Sequence, residues 1–102
     1  KTEKMTKELK THIESINQHF DVLKNKFKVK KLAIFGSTVK GNNTKKSDID
    51  IIVELYEPIS LFSFLELEEY LSKILGKKID LTTKKALKST IRKSVLKEAI
   101  YA

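Results

Sequence analysis

The chain has no cysteine and no tryptophan, one proline and three glycines. Without cysteine there is no disulfide framework and no thiolate metal site. With so little proline and glycine, and 40% hydrophobic residues, it is not a low-complexity or disordered segment. No apolar run approaches the roughly 20 residues that span a bilayer. The opening KTEKMTKELK is charged and lacks the apolar stretch of a signal peptide. A cytoplasmic protein is expected, and 102 residues suit one domain with a modest core.

Charge is abundant but unevenly placed. Residues 1–31 carry nine lysines against four acids, and residues 77–102 carry eight basic residues against two acids. Between them, residues 32–76 have four lysines against seven acids, so the totals are +5, −3 and +6. Basic flanks around an acidic centre lack the basic recognition helix or aromatic–basic sheet of a nucleic-acid reader. No sequence-specific nucleic-acid binding is expected. Solvated lysine on helix surfaces accounts for much of the excess, and an acidic or phosphate-bearing partner would use the remainder.

Met5, Leu9, Ile13, Ile16, Phe20, Leu23 and Phe27 recur at steps of three and four, which predicts one amphipathic helix within residues 1–28. His12 and His19 fall near its edges, with no third ligand in register for a metal. VKKLAIF (29–35) reads as a strand, 36–47 as a polar loop, and IDIIVEL (49–55) as a second strand, plausibly its antiparallel neighbour. In that second strand Ile49, Ile51, Val53 and Leu55 share one face; Asp48, Asp50, Ile52 and Glu54 share the other. Ser60 is placed to cap a helix over 61–75 and Gly76 to end it. The apolar face of that helix is read as Leu61, Phe64, Leu65, Leu67, Tyr70, Leu71, Ile74 and Leu75, with Glu66, Glu68 and Glu69 mostly outside. KKIDLT (77–82) reads as a third strand and 88–99 as a last helix. The order α-β-β-α-β-α predicts an α/β (α+β) domain, a small mixed sheet with helices on one face. There is more apolar helix surface than so small a sheet needs, which favours a protein complex.

The loop and the aspartates beyond it carry the chemistry. Gly36 and Gly41 have P-loop spacing, but Asn42 and Asn43 stand where lysine and serine or threonine are required, and a strand follows instead of a helix. A plain turn would account for Gly36 and Ser37 but not for Asp50. Asp48 and Asp50 project from one strand face about 7 Å apart, like charges that need water or a cation. Paired carboxylates suit Mg²⁺ bound to a phosphate-bearing substrate, and a two-metal site would want a third acid. Asp80, between Ile79 and Leu81, supplies it if the third strand lies beside the second. Gly36 and Ser37 would then offer backbone N–H groups and a hydroxyl to a triphosphate.

Gly36-Ser37, ten residues, then Asp48-x-Asp50 resembles the signature of the nucleotidyltransferase superfamily that includes DNA polymerase β. The stretch GSTVKGNNTKKSDIDIIVEL is similar to the GSxARGxxxxxSDIDLLVEF pattern of its smallest branch, the minimal nucleotidyltransferases. KKIDLTTKKAL…IRKSVLKEAIYA resembles that branch's closing segment, over a catalytic core of 29–102. Lys40 stands where the family usually has arginine, keeping the charge but not the bidentate geometry. The resemblance implies a Mg²⁺-dependent enzyme using ATP, with Asp48, Asp50 and Asp80 as metal-binding and catalytic residues. Asp80 would complete the metal site or act as base, and Gly36, Ser37 and Lys40 would bind the nucleotide. It also implies an antitoxin that transfers AMP to a tyrosine of a HEPN-type RNase toxin. An antitoxin that works by binding alone, and a small-molecule transferase of the aminoglycoside-modifying kind, share the same core and remain open. The absence of room for a second domain argues against a processive polymerase.

Overall fold

The computed structural model describes residues 7–35, 48–86, 97 and 99–102. Helix α1 spans Lys7–Gln18 and α2 Phe20–Phe27, followed by strands β1 (Val29–Phe35) and β2 (Ile49–Leu55). Helix α3 (Leu61–Leu75), strand β3 (Ile79–Thr83), a 3-10 turn (Lys84–Ala86) and a two-residue strand β4 (Ile100–Tyr101) complete the order. The sheet order is β3-β2-β1-β4; β2 runs antiparallel to β1 and parallel to β3, and β4 is antiparallel to β1. The α/β class and mixed sheet expected from the pattern are present. The final helix expected over 88–99 falls almost wholly outside the described residues, and Ala99 itself is not helical.

Alternation explains which face of the sheet is core. Ile49, Ile51 and Val53 of β2 pair with Ile79 and Leu81 of β3 on one side and with Leu32 and Ile34 of β1 on the other. Those residues join Leu9, Ile16, Leu23, Phe27, Leu67, Leu71 and Leu75 from the helices in one buried cluster. Burying a leucine- or phenylalanine-sized side chain contributes about 1.5–3 kcal/mol each, set against the entropy of ordering it. On the other face Ala33 and Ile52 are also buried, whereas Asp50 and Glu54 are half-buried and Asp80 is exposed.

The caps of α3 are the expected ones. Ser60 Oγ accepts the Ser63 N–H at 3.1 Å, and Gly76 takes the left-handed conformation (φ 68°) while its N–H donates to Ser72 O at 2.8 Å. Two expectations need correction. The single N-terminal helix is two helices, broken at His19 (φ −108°, ψ 10°). The His19 Nδ1–H donates to Ser15 O at 2.8 Å, the carbonyl its own backbone N–H would otherwise use. That N–H turns to Ile16 O at 3.1 Å, tightening the last turn of α1 and redirecting the chain. The spacing Ile16–Phe20–Leu23–Phe27 runs across the break, so periodicity alone conceals it. The second correction concerns α3, where Leu61 and Leu65 face solvent with Phe62 and are not part of the core.

Lys28 closes α2 in the left-handed region (φ 63°), its N–H donating to Lys24 O at 3.1 Å. Its own carbonyl accepts the Tyr56 N–H at 2.8 Å, which ties the start of β1 to the end of β2.

Candidate active site

The parallel pairing of β2 with β3 sets Asp50 directly opposite Asp80. Neighbouring strands lie about 4.8 Å apart, and residues in register share a face, so the two carboxylates emerge side by side. On the other flank Asp50 is in register with Phe35, the last residue of β1, so the chain leaves β1 next to the aspartate. Asp48 immediately precedes β2 and is half-buried. Gly36, Ser37 and Lys40 lie outside the described residues.

Electrostatics mark Asp50. Burial, then the charge of Asp80, then that of Asp48, hold its carboxyl above the ordinary carboxylate range. Asp50 therefore feels both of the other carboxylates. Among the described residues no three acidic or histidine side chains close into a preformed metal cluster, and Asp50, Asp80 and Asp48 form no ion pair with a described basic residue. Oxygen donors of repelling carboxylates fit a hard divalent cation, which would draw them together and relieve the repulsion.

One residue that the sequence reading put outside belongs to this edge. Glu68 of α3 is half-buried, and its Oε2 accepts the Leu81 N–H at 3.3 Å, one residue past Asp80. The helix thereby fastens the outer strand of the sheet beside the aspartate pair. The signal was present, since Glu68 follows Phe64 by four and precedes Leu71 by three, a core-facing spacing.

Histidine 12 plays no part in the site. It is buried with Nε2 lacking a hydrogen-bond partner; Glu8 is 3.6 Å away, too far for a hydrogen bond, and Glu8 instead meets Lys77 at 2.6 Å. Burial lowers its pKa, opposed by Glu8 and reinforced by Lys77.

Residues 16–102 match the nucleotidyltransferase domain family. The chain belongs to that family. It is similar to the protein adenylyltransferase MntA of Thermococcus cleftensis, 47% identical over 90 residues that cover 87% of this chain and 91% of that one. A solved structure provisionally assigned as a minimal nucleotidyltransferase superposes with a TM-score of 0.70 at 26% identity, covering 86% of this chain and 93% of that one. The fold is also that of an MNT antitoxin bound to a tri-AMPylated HEPN toxin from Shewanella oneidensis, with a TM-score of 0.63, 20% identity and coverage of 88% and 70%. The minimal-nucleotidyltransferase resemblance is thus borne out, and the chain is a nucleotidyltransferase. No described helix is long and apolar enough to cross a membrane.

Proposed function

We propose that this chain is an antitoxin that transfers AMP from ATP to a tyrosine hydroxyl of a HEPN-type toxin, using Asp48, Asp50 and Asp80. The observation that carries the reading is the register pair Asp50–Asp80, two carboxylates set side by side with no basic partner among the described residues. The adenylyltransferase name of the Thermococcus relative supports the nucleotide and the protein acceptor.

Asp48 and Asp50 would hold Mg²⁺ with the triphosphate, and Asp80 would complete the set. Mg²⁺ bound there supplies Lewis-acid polarisation and neutralises charge on the leaving pyrophosphate. By the family resemblance, Gly36 and Ser37 would supply an N–H and a hydroxyl to phosphate oxygens, and Lys40 would add a positive charge. Asp80, the most exposed of the three, faces the acceptor side and takes the proton of the incoming hydroxyl. The acceptor oxygen bonds to the α-phosphorus as the bond to the β-phosphate oxygen breaks. A general base is worth about 10²–10⁴-fold, and positioning supplies the larger part.

The test is the intact mass of the purified HEPN-type partner after incubation with this chain, Mg²⁺ and each nucleoside triphosphate separately. Gain of one or more AMP units with ATP, absent in Asp50→Asn, is expected. A tight, silenced complex with no mass gain would replace this reading with that of an antitoxin acting by binding alone.

A further inference from the structure

Helix α3 has two faces, and the fold uses one. Leu67, Leu71 and Leu75 are buried in the core. Opposite them Phe62, Leu65, Glu66 and Glu69, spaced i, i+3, i+4 and i+7, form a single exposed stripe. Phe62 is 83% and Leu65 50% exposed, and beside them stand Leu61 at 73% and Tyr56 at 58%. Two aromatics and two leucines so exposed present on the order of 500 Å² of apolar surface. That is a large patch for a lone soluble protein, and it is enough for the centre of an interface of about 800 Å² per partner. A cleft of about 590 Å³ opens alongside, walled by Tyr56, Pro58, Ile59, Leu61 and Phe64.

Along the stripe the apolar end gives way to acid. Glu66 and Glu69 are exposed and make no ion pair among the described residues. This happens in a chain with 21 basic residues and a net charge of +8. Among the described residues, none of the abundant lysines pairs with these carboxylates.

We propose that this face docks a helix of the partner protein. That helix inserts a large apolar side chain into the cleft and sets lysine or arginine against Glu66 and Glu69. Charge complementarity selects this occupant over a second copy of the chain. Two copies would bring like net charges of +8 together, and a two-fold pairing of α3 would crowd its carboxylates against their own counterparts. The exposed face lies beyond the end of β2, six positions from Asp50 at Tyr56 and about 20 Å away, while the inner wall of the cleft reaches Val53 and Thr83, three positions and about 10 Å from Asp50 and Asp80. Neither aspartate lines the cleft, so binding and transfer are expected to be separable by substitution. The identity of the partner as the HEPN-type protein rests on the function proposed above; the location and chemistry of the dock do not.

The experiment is calorimetric titration of the full chain with the purified HEPN-type partner, using Phe62→Glu, Leu65→Glu, the double variant Glu66→Lys/Glu69→Lys, and Asp50→Asn. The expected loss of affinity is about 30-fold or more for Phe62→Glu and Leu65→Glu and about 10-fold for the charge reversal, whose binding also becomes less salt-dependent. Asp50→Asn keeps its affinity while losing transfer. Circular dichroism and thermal melts show that the exposed-site variants remain folded. Wild-type affinity in both Phe62→Glu and Leu65→Glu, or no binding by the wild-type chain, overturns the dock. So does a wild-type dimer in sedimentation that Phe62→Glu dissociates, which would give the face to a second copy. Affinity lost in Phe62→Glu with no AMP transfer by the wild type would leave the dock standing and remove the transferase reading. Transfer by the wild type, with Phe62→Glu binding normally, would do the reverse.

Discussion

Asp50 and Glu54 lie on the same strand, on the same face, four residues apart, and the fold treats them in opposite ways. Glu54, toward the carboxyl end of β2, has Lys84 at 3.6 Å. Asp50, toward the amino end, is answered across the ladder by Asp80, another acid. A chain with 21 basic residues could have placed one there. At Glu54 a lysine meets the carboxylate; at Asp50 like charges are set together and the carboxyl is driven toward its neutral form. The contrast separates an acid of β2 whose charge is met within the fold from one that faces another acid.

The strongest way to break the contrast is Asp80→Lys, which gives Asp50 the arrangement Glu54 has. AMP transfer by mass spectrometry should fall at least about 10³-fold, while stability to urea rises by about 0.5–1 kcal/mol as repulsion becomes attraction. Asp50→Asn should cost as much activity and leave stability unchanged or slightly raised. A drop of several kcal/mol in either variant would mean that the aspartates support the fold.

Titration sharpens it further, because two groups act with opposite sign. The folded pKa of Asp50 is raised above its ordinary value of 3.8. Between the two values the folded state binds more protons, so stability falls as pH rises through that window. The pKa of His12 is lowered from 6.5. There the unfolded state binds more protons, so the stability gained by keeping His12 neutral is present above about pH 6.5 and is lost as pH falls through the folded value. Melting temperatures should drop by a few degrees from about pH 7 to about pH 5. His12→Leu should flatten that slope, and Asp50→Asn should steepen the net loss on acidification. A His12→Leu profile parallel to wild type would show that the histidine does not titrate in this way.

Smaller effects come from backbone and surface. Lys28 holds a left-handed conformation that glycine adopts freely, so Lys28→Gly should stabilise by about 0.5–1 kcal/mol. Gly76→Ala should destabilise by about 1 kcal/mol through the backbone alone, since a Cβ there meets nothing within 4 Å. Glu54→Gln should change stability least, by less than about 0.5 kcal/mol, its partner Lys84 being well exposed. Urea midpoints of the three, measured side by side, check the ranking.

What could be read in advance follows physical range. Alternation in β2 located its two faces, and Ser60 and Gly76 located both ends of α3, because period-two burial and local caps are written within a few residues. The break at His19 was illegible, since a side chain competing for one carbonyl leaves the apolar period intact. β4 was illegible too, because two residues carry no period and Ile100 and Tyr101 become a strand only by meeting Ala33 and Ile34. Leu61 and Leu65 looked like core by chemistry; only the neighbours they lack showed otherwise. At the site, the acids were legible by type, but the facing of Asp50 and Asp80 depended on a parallel pairing that no local pattern specifies.

That pairing has a consequence for how the protein matures. Residues alternate faces along β3, so a slip of one position against β2 would turn Asp80 inward and expel Ile79 and Leu81 from the core at the same stroke. Hydrophobic assembly and carboxylate alignment are fixed by one ladder, and neither can be wrong alone. On the function proposed above, a misregistered copy would be both unstable and catalytically silent, so proofreading of the fold would double as proofreading of the chemistry.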